Sequence, residues 1–351
     1  MIMKRILILL LLVPYGVMAQ YTETKTINRN YSVSGKGSLS ITGKYGDIHI
    51  DTWDNKTVEL EVKIEAKKRS EDKAKEMVEN VKIVIEDSNK EDLGFRTNID
   101  GSINNKSGEQ LKIEYWVKAP KTLVYKLKNS YGNLYLGDNM GSNEIKVAYG
   151  NLKIEECKGR TALDMSYSNG EIEGIADGNM SLSYSNLNIG SIGSVEATSN
   201  YSNLDVSDKS DKIEMENRYG NAKIGEVNVI TGQSRYGGVT IEKLNKSITF
   251  ELLHSGGLKV EWISKNFEKV DLQARYGAIG LKFEKGFGAT LDADMTYCSL
   301  KYEGVDFDYS HLKEEAQHKL YKGILGDAKN AGNRIISISS SYGNAKVGYA
   351  D

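Results

Sequence analysis

The residues able to do chemistry are unevenly chosen: 21 tyrosines against 6 phenylalanines, with only 4 histidines and 2 cysteines in 351 residues. Tyr131, Tyr149, Tyr167, Tyr184, Tyr201, Tyr219 and Tyr236 fall 17 or 18 residues apart, each inside a copy of one motif (SYGNLYL, AYGNLKI, SYSNGEI, SYSNLNI, NYSNLDV, RYGNAKI, RYGGVTI). His254 takes the next slot, Tyr276 and Tyr297 follow at longer spacing, and KYGDIHI (44–50) and SYGNAKV (341–347) are outlying copies. A regular aromatic column invites carbohydrate stacking. Counting by two along the strand, however, gives the tyrosines the parity of the apolar residues. The expectation is an inward structural ladder of Tyr131, Tyr149, Tyr167, Tyr184, Tyr201, Tyr219, Tyr236 and Tyr276. Asn133, Asn151, Asn169, Asn186, Asn203, Asn221 and Asn344 form a parallel column that reads as a stacked amide ladder.

Other candidates for chemistry are dispersed. His49 lies in an early strand, His254 replaces a ladder tyrosine, and His311 and His318 are seven apart on a segment that reads as helix. Nothing has the spacing of a zinc site. Asp292/Asp294 and Glu155/Glu156 fit outward strand or loop positions, and no P-loop, GxSxG elbow or dinucleotide fingerprint occurs. The expectation is no catalytic residue, no cofactor and no metal, hence no enzyme. The best candidate ligand face is a polar, small-residue stripe: Asp164, Ser166, Ser181, Ser183, Thr198 and Asn200, continuing into Glu216, Arg218, Arg235 and Arg275.

The elements that would position these residues follow from the alternation before each tyrosine. Ile145 and Val147, Leu163 and Met165, and Met180 and Leu182 alternate with polar residues, the period-two pattern of a strand with one face buried. Gly or Ser, then Asn, makes a tight corner. A second short strand follows, and a third column is Cys157, Ile175, Ile192, Lys209, Val227 and Leu244. One such coil cannot bury its apolar edge alone, whereas stacked coils can. The fold class is therefore all-β: a single-stranded parallel β-helix of 17–18-residue coils, right-handed by the rule for parallel crossovers. Cys157 and Cys298 then lie many coils apart, too far for a disulfide.

Five segments follow. Residues 1–19 (Lys4, Arg5, an apolar core and Ala19) read as a secretory signal peptide. Residues 20–125 are β-rich with a helix at 70–81 that caps or flanks the sheet, begun by Ser70 with Ala74, Met77 and Val78 on one face. Residues 126–302 are regular repeats, 303–333 a polar insertion that reads as helical, and 334–351 the final repeat. Without the signal the chain has 44 basic and 48 acidic residues, a balance that argues against nucleic acid. No later stretch is long and apolar enough to span a membrane.

The exported N-terminus, the KYGDIHIDTW segment and the YGN/YSN coils resemble the putative-adhesin β-strand-repeat family of bacterial cell envelopes, related to auto-transporter-like adhesin head domains. The resemblance implies a β-helical envelope protein with an adhesive or structural role, located in the periplasm or at the cell surface, whose partner is an unknown protein or glycan. Two alternatives stand beside it. One is a polysaccharide lyase or hydrolase, since β-helices host such enzymes; the other is a periplasmic partner of an envelope signalling system.

Overall fold

The computed structural model describes residues 20–89, 91–101, 103 and 108–350. The signal-peptide reading of 1–19 lies outside them. The described chain is all-β and solenoid-like, one continuous sheet of 25 strands with one α-helix.

Six long strands make its middle: Asn151–Ser166, Asn169–Ser183, Asn186–Asn200, Asn203–Arg218, Ala222–Arg235 and Gly238–Leu253. Each pairs in parallel with the next, so that Leu152 faces Gly170, Gly170 faces Leu187 and Leu187 faces Leu204. Each also bends partway, so its first half lies after one tyrosine corner and its second half before the next. The stack thus has a downstream face and an upstream face around one apolar core that includes Ile154, Met165, Leu182, Val206 and Ile224.

The corner corrects the sequence reading. Tyr131, Tyr149, Tyr167, Tyr184, Tyr201, Tyr219, Tyr236 and Tyr276 point outward, about half exposed, and with Tyr45, Tyr297, Tyr342 and His254 all have φ between 47° and 60°. A left-handed residue reverses the strand's alternation, so buried positions before the corner (Leu163, Met165) and after it (Gly170, Ile172) differ in parity. The residue after the tyrosine, such as Ser168, Ser185 or Gly220, is the inward one. Where it is glycine no side chain fits, since a Cβ on Gly220 would sit 1.7 Å from the Ser202 carbonyl oxygen of the coil beneath. Where it is serine the hydroxyl bonds its own corner, as Ser202 Oγ donates to the Asn200 carbonyl at 2.7 Å. The tyrosine N–H still bonds the neighbouring coil, as from Tyr201 to the Arg218 carbonyl at 2.8 Å. Left-handed φ costs a side-chain-bearing residue roughly 1–2 kcal/mol. Ring stacking at about 0.5–1.5 kcal/mol per pair offsets it.

The third column also changes. An irregularity between Val206 and Lys209 brings Ser210, not Lys209, into register with Ile192 and Val227; Ser210 is buried and Lys209 exposed.

Antiparallel additions close both ends. At the first, Tyr21–Ser32, Thr57–Lys68 and Gln110–Pro120 form a ribbon joined to Ile48–Trp53, and Val81–Asn89 covers Asp92–Ile99. The helix Glu71–Glu79, capped by Ser70, turns Ala74 and Val78 inward against this ribbon. At the other end, the insertion expected as helix is instead a hairpin, Phe307–Glu314 with His318–Gly326, laid antiparallel on Gly288–Thr296. Its Glu, Lys and Gln content favours helix locally, but an open strand edge needs a partner and charged strands blunt it. His311 and His318 therefore lie on separate strands, and His318 Nε2 meets Asp294 Oδ1 at 2.9 Å. Both cysteines are free.

Candidate functional site

Three outward surfaces present rows of aromatic, polar or charged side chains. The first is the tyrosine stripe. From Tyr131 to Tyr236 successive rings lie 4.6–5.0 Å apart and within 7° of parallel, and His254 continues the column between Tyr236 and Tyr276. Each interior ring has its two faces covered by the rings on either side, leaving edges and hydroxyls to solvent. The stripe is therefore a rib, not a stacking platform for a sugar. Beside it the asparagine column runs as hydrogen-bonded amides: Asn151 Nδ2 donates to Asn133 Oδ1 at 2.9 Å, Asn186 to Asn169 at 3.0 Å and Asn203 to Asn186 at 2.8 Å.

The second surface is the small-residue stripe on the upstream face. Register places Asp164, Ser181 and Thr198 in one row and Ser166, Ser183 and Asn200 in the next, against the tyrosines. All six point outward and form one contiguous patch. Thr198 borders a hollow of about 420 Å³ walled by Glu196, Glu214, Glu216 and Glu251. Further along, Arg218 pairs with Glu216, and Arg275 lies over the Tyr276 ring.

The third surface was not singled out from sequence. On the downstream face, strand register lines up Trp116, His49, Tyr135, Lys153, Glu171, Asn188, Asp205 and Lys223. At about 4.8 Å per strand this row runs roughly 34 Å across the coils. Two hollows of about 470 and 640 Å³ lie along it and share Lys153, Glu171 and Asn188, so they form one trough. The first has a wall of ladder amides, Asn133, Asn151 and Asn169, and an aromatic end of Trp116, His49 and Tyr135, over strands whose Ile48, Leu134 and Leu152 turn into the core. His49 stacks on Tyr135 at 4.3 Å and leans on Trp116 at 4.7 Å, while Trp116 is 47% exposed. The second is lined by the small residues Gly190, Ser207 and Gly225.

Charge and hydrogen bonding fix the character of this trough. Tyr135 Oη donates to Glu155 Oε1 at 2.6 Å, which holds the phenol protonated and pushes its pKa up to about 12. His49 Nε2 meets Asp51 Oδ1 at 3.0 Å. In the second hollow Glu171, Glu173, Asp205, Asp208 and Glu242 outnumber Lys153 and Lys223, and Lys223 is itself paired with Glu242 at 2.8 Å. An anionic polymer would meet net negative charge there. Among the described residues no group of three or more His, Cys, Asp or Glu is placed to hold a metal ion, and no helix is long and apolar enough to cross a membrane.

A sequence signal for the trough existed. Trp116 stands between inward Tyr115 and Val117, and Tyr135 between Leu134 and Leu136, so both are large aromatics at polar parity.

No family model and no curated protein matches the chain. Several solved structures do. A putative cell adhesion protein from Clostridium sporogenes is 13% identical with a TM-score of 0.22, covering 93% of this chain and 100% of its own. A putative adhesin from Bacteroides fragilis is 15% identical with a TM-score of 0.30, covering 92% and 97%. A putative adhesin from Parabacteroides merdae is 11% identical with a TM-score of 0.31, covering 71% and 91%.

Proposed function

We propose that this chain is an exported, non-catalytic binding protein of a bacterial cell envelope, a right-handed solenoid that holds an extended glycan in the downstream trough. The trough carries this reading. Its length suits a linear polymer, and its exposed tryptophan suits the apolar face of a sugar ring. Side-chain amides both donate and accept hydrogen bonds, which matches a ligand of hydroxyl groups. The acidic excess favours a neutral or amino-bearing chain over an acidic one.

Titration of the mature protein with cellohexaose and with chitohexaose, followed by tryptophan fluorescence and calorimetry, tests it. Saturable binding is expected for at least one of them, weakened ten-fold or more by Trp116→Ala. Absence of binding to both, or an affinity unmoved by that substitution, would overturn the glycan reading. Protease shaving of intact cells tests the location: loss of the protein with a periplasmic control intact places it at the surface, and protection until lysis places it in the periplasm.

The contiguous patch of small and polar residues Asp164, Ser166, Ser181, Ser183, Thr198 and Asn200 supports a second contact surface, for a protein partner. Ser183→Trp with Thr198→Trp would block binding there and leave the trough unaffected.

A further inference from the structure

The last coil in sequence is not the last coil in space. Ile335–Ser341 pairs in parallel with Lys269–Arg275 on one side and with Gly288–Thr296 on the other. Ala345–Tyr349 lies in the same way between Ile279–Phe283 and Leu300–Glu303. Tyr342 stacks between Tyr276 and Tyr297, at 4.8 and 4.9 Å. The chain between Phe283 and Gly288 therefore steps over one rung, about 9.6 Å instead of about 4.8 Å. Both walls of the slot precede residues 335–349 in synthesis.

What the slot demands can be read from its occupant. Inside it takes small or branched apolar residues: Ile336, Ile338, Ala345 and Val347 are at most 1% exposed. On both flanks it offers unpaired strand edges, and at the corner two tyrosine rings with room for a third. The SYGNAKV that meets these demands nearly repeats the internal RYGNAKI of 218–224. Recognition is thus of a pattern that recurs along the chain, not of a sequence found once in it.

We infer that a second copy of this chain can supply the slot's occupant, so that two molecules exchange residues 335–349 and form a strand-swapped dimer. Exchange conserves every contact within the slot, which is what makes swapping cheap. The connection able to open is the segment 327–334, bounded by Gly326 at φ 82° and containing Gly332 at φ 51°. Extended, its eight residues reach about 28 Å. Closure within one molecule competes with an effective concentration of about millimolar order, so exchange rises with protein concentration during folding.

Cysteine trapping in the full mature chain tests the inference. In a Cys157→Ala, Cys298→Ser background, Lys301→Cys is placed on one chain and Lys346→Cys on a second, larger tagged chain. These two exposed positions face each other in register. Co-refolding at high concentration followed by oxidation is expected to give the heterodimer in at least ten-fold excess over a dilute sample. A chain carrying both substitutions closes on itself when dilute. No heterodimer at either concentration, while that double variant closes, would overturn exchange; failure of the double variant to close would overturn the insertion itself. The unsubstituted chain gives an independent reading. A dimer formed on concentrated refolding should persist on dilution in size-exclusion chromatography, and monomer alone would count against exchange.

Discussion

In the six long strands between 151 and 253, every coil rests on its predecessor in sequence, and residues find their counterparts 17 or 18 places away. Beyond Arg275 that correspondence ends: the next rung in space is residues 335–349, and antiparallel strands finish the edge. The first end behaves likewise, with Gln110–Pro120 stacked on Ile48–Trp53 across the 56 residues, 54–109, that separate them in sequence. A middle coil is held from both sides by its chain neighbours, whereas the ends are held by segments that arrive from elsewhere. The middle should therefore fail as a unit, and the ends should come away piece by piece.

The largest test of that difference places a carboxylate in each core. Ile213 is fully buried in the middle, and Ile338 equally so in the inserted strand. An unpaired buried charge costs several kcal/mol at least, more than a typical domain's margin can absorb when no element can leave. Ile213→Asp is expected to abolish the folded state, read as loss of the cooperative thermal transition. Ile338→Asp should instead release residues 335–349, leaving a cooperative transition and a new cleavage site near 327–334 in limited proteolysis. If both variants unfold completely, the ends are as integral as the middle.

Alkaline pH separates the regions by a second route. The buried tyrosines, Tyr115, Tyr125 and Tyr321, all sit in the ends. Burial pushes Tyr115 up to about 12 from 10.0, and burial pushes Tyr125 and Tyr321 up as well. A raised folded-state pKa means that stability is intact below about pH 10 and is lost as pH rises through 12. For Tyr115 the loss is about 2–3 kcal/mol. Cys157 is the comparable group in the middle, its thiol pushed up to about 11 by burial, and Cys157→Ala removes it from the comparison. Hydrogen exchange after brief exposure to pH 11 should show opening at residues 93–125 and 318–325 before 160–250. Uniform opening would count against a weaker hold at the ends.

How much of this was legible in the sequence divides along the same line. Period-two alternation gave the strands, the 17–18-residue spacing gave the stacking, and the Ser70 cap gave the helix. The corner was half legible. Val147 and Leu152 are both buried yet five apart, so some residue between them must reverse the alternation. Gly and Asn are the usual residues at positive φ. Here the glycine is committed to backbone contact, as at Gly150, where a Cβ would lie 1.9 Å from the Gly132 oxygen, and the asparagine to the amide ladder. Tyrosine is left with the strained position, and it stacks outside. The rank of the last repeat was not legible at all, because equivalent copies fit equivalent slots. The trough escaped because its aromatics come from three strands, Gln110–Pro120, Ile48–Trp53 and Leu134–Leu136, brought side by side only by the closure of the first end.

The corner itself yields a finer test. Tyr201, stacked on Tyr184 at 5.0 Å and Tyr219 at 4.6 Å, loses both contacts in Tyr201→Ala while the left-handed strain stays, for a cost of about 1–3 kcal/mol. Tyr201→Gly loses the same contacts but relieves the strain, so it should lie about 1–2 kcal/mol above the alanine variant in denaturant unfolding. If alanine and glycine come out equal, the positive φ carries no strain and stacking alone explains the tyrosine.

The smallest effect concerns the one place where the ladder changes residue. His254 stacks on Tyr236 at 5.6 Å, looser than its 4.8 Å contact with Tyr276, so the column is weakest on that side. His254→Tyr keeps the corner conformation, as eleven tyrosines at the same φ demonstrate, and extends ring overlap on both sides. A gain of about 0.5–1 kcal/mol is expected, near the low end for an aromatic pair. It would be read as a rise in denaturation midpoint with an unchanged m-value. The converse change, His in place of Tyr at 219 inside the tighter run, should lose a similar amount. Should His254→Tyr destabilise, the histidine is held there by something other than the ladder, and the rib is two separate stacks joined at residue 254.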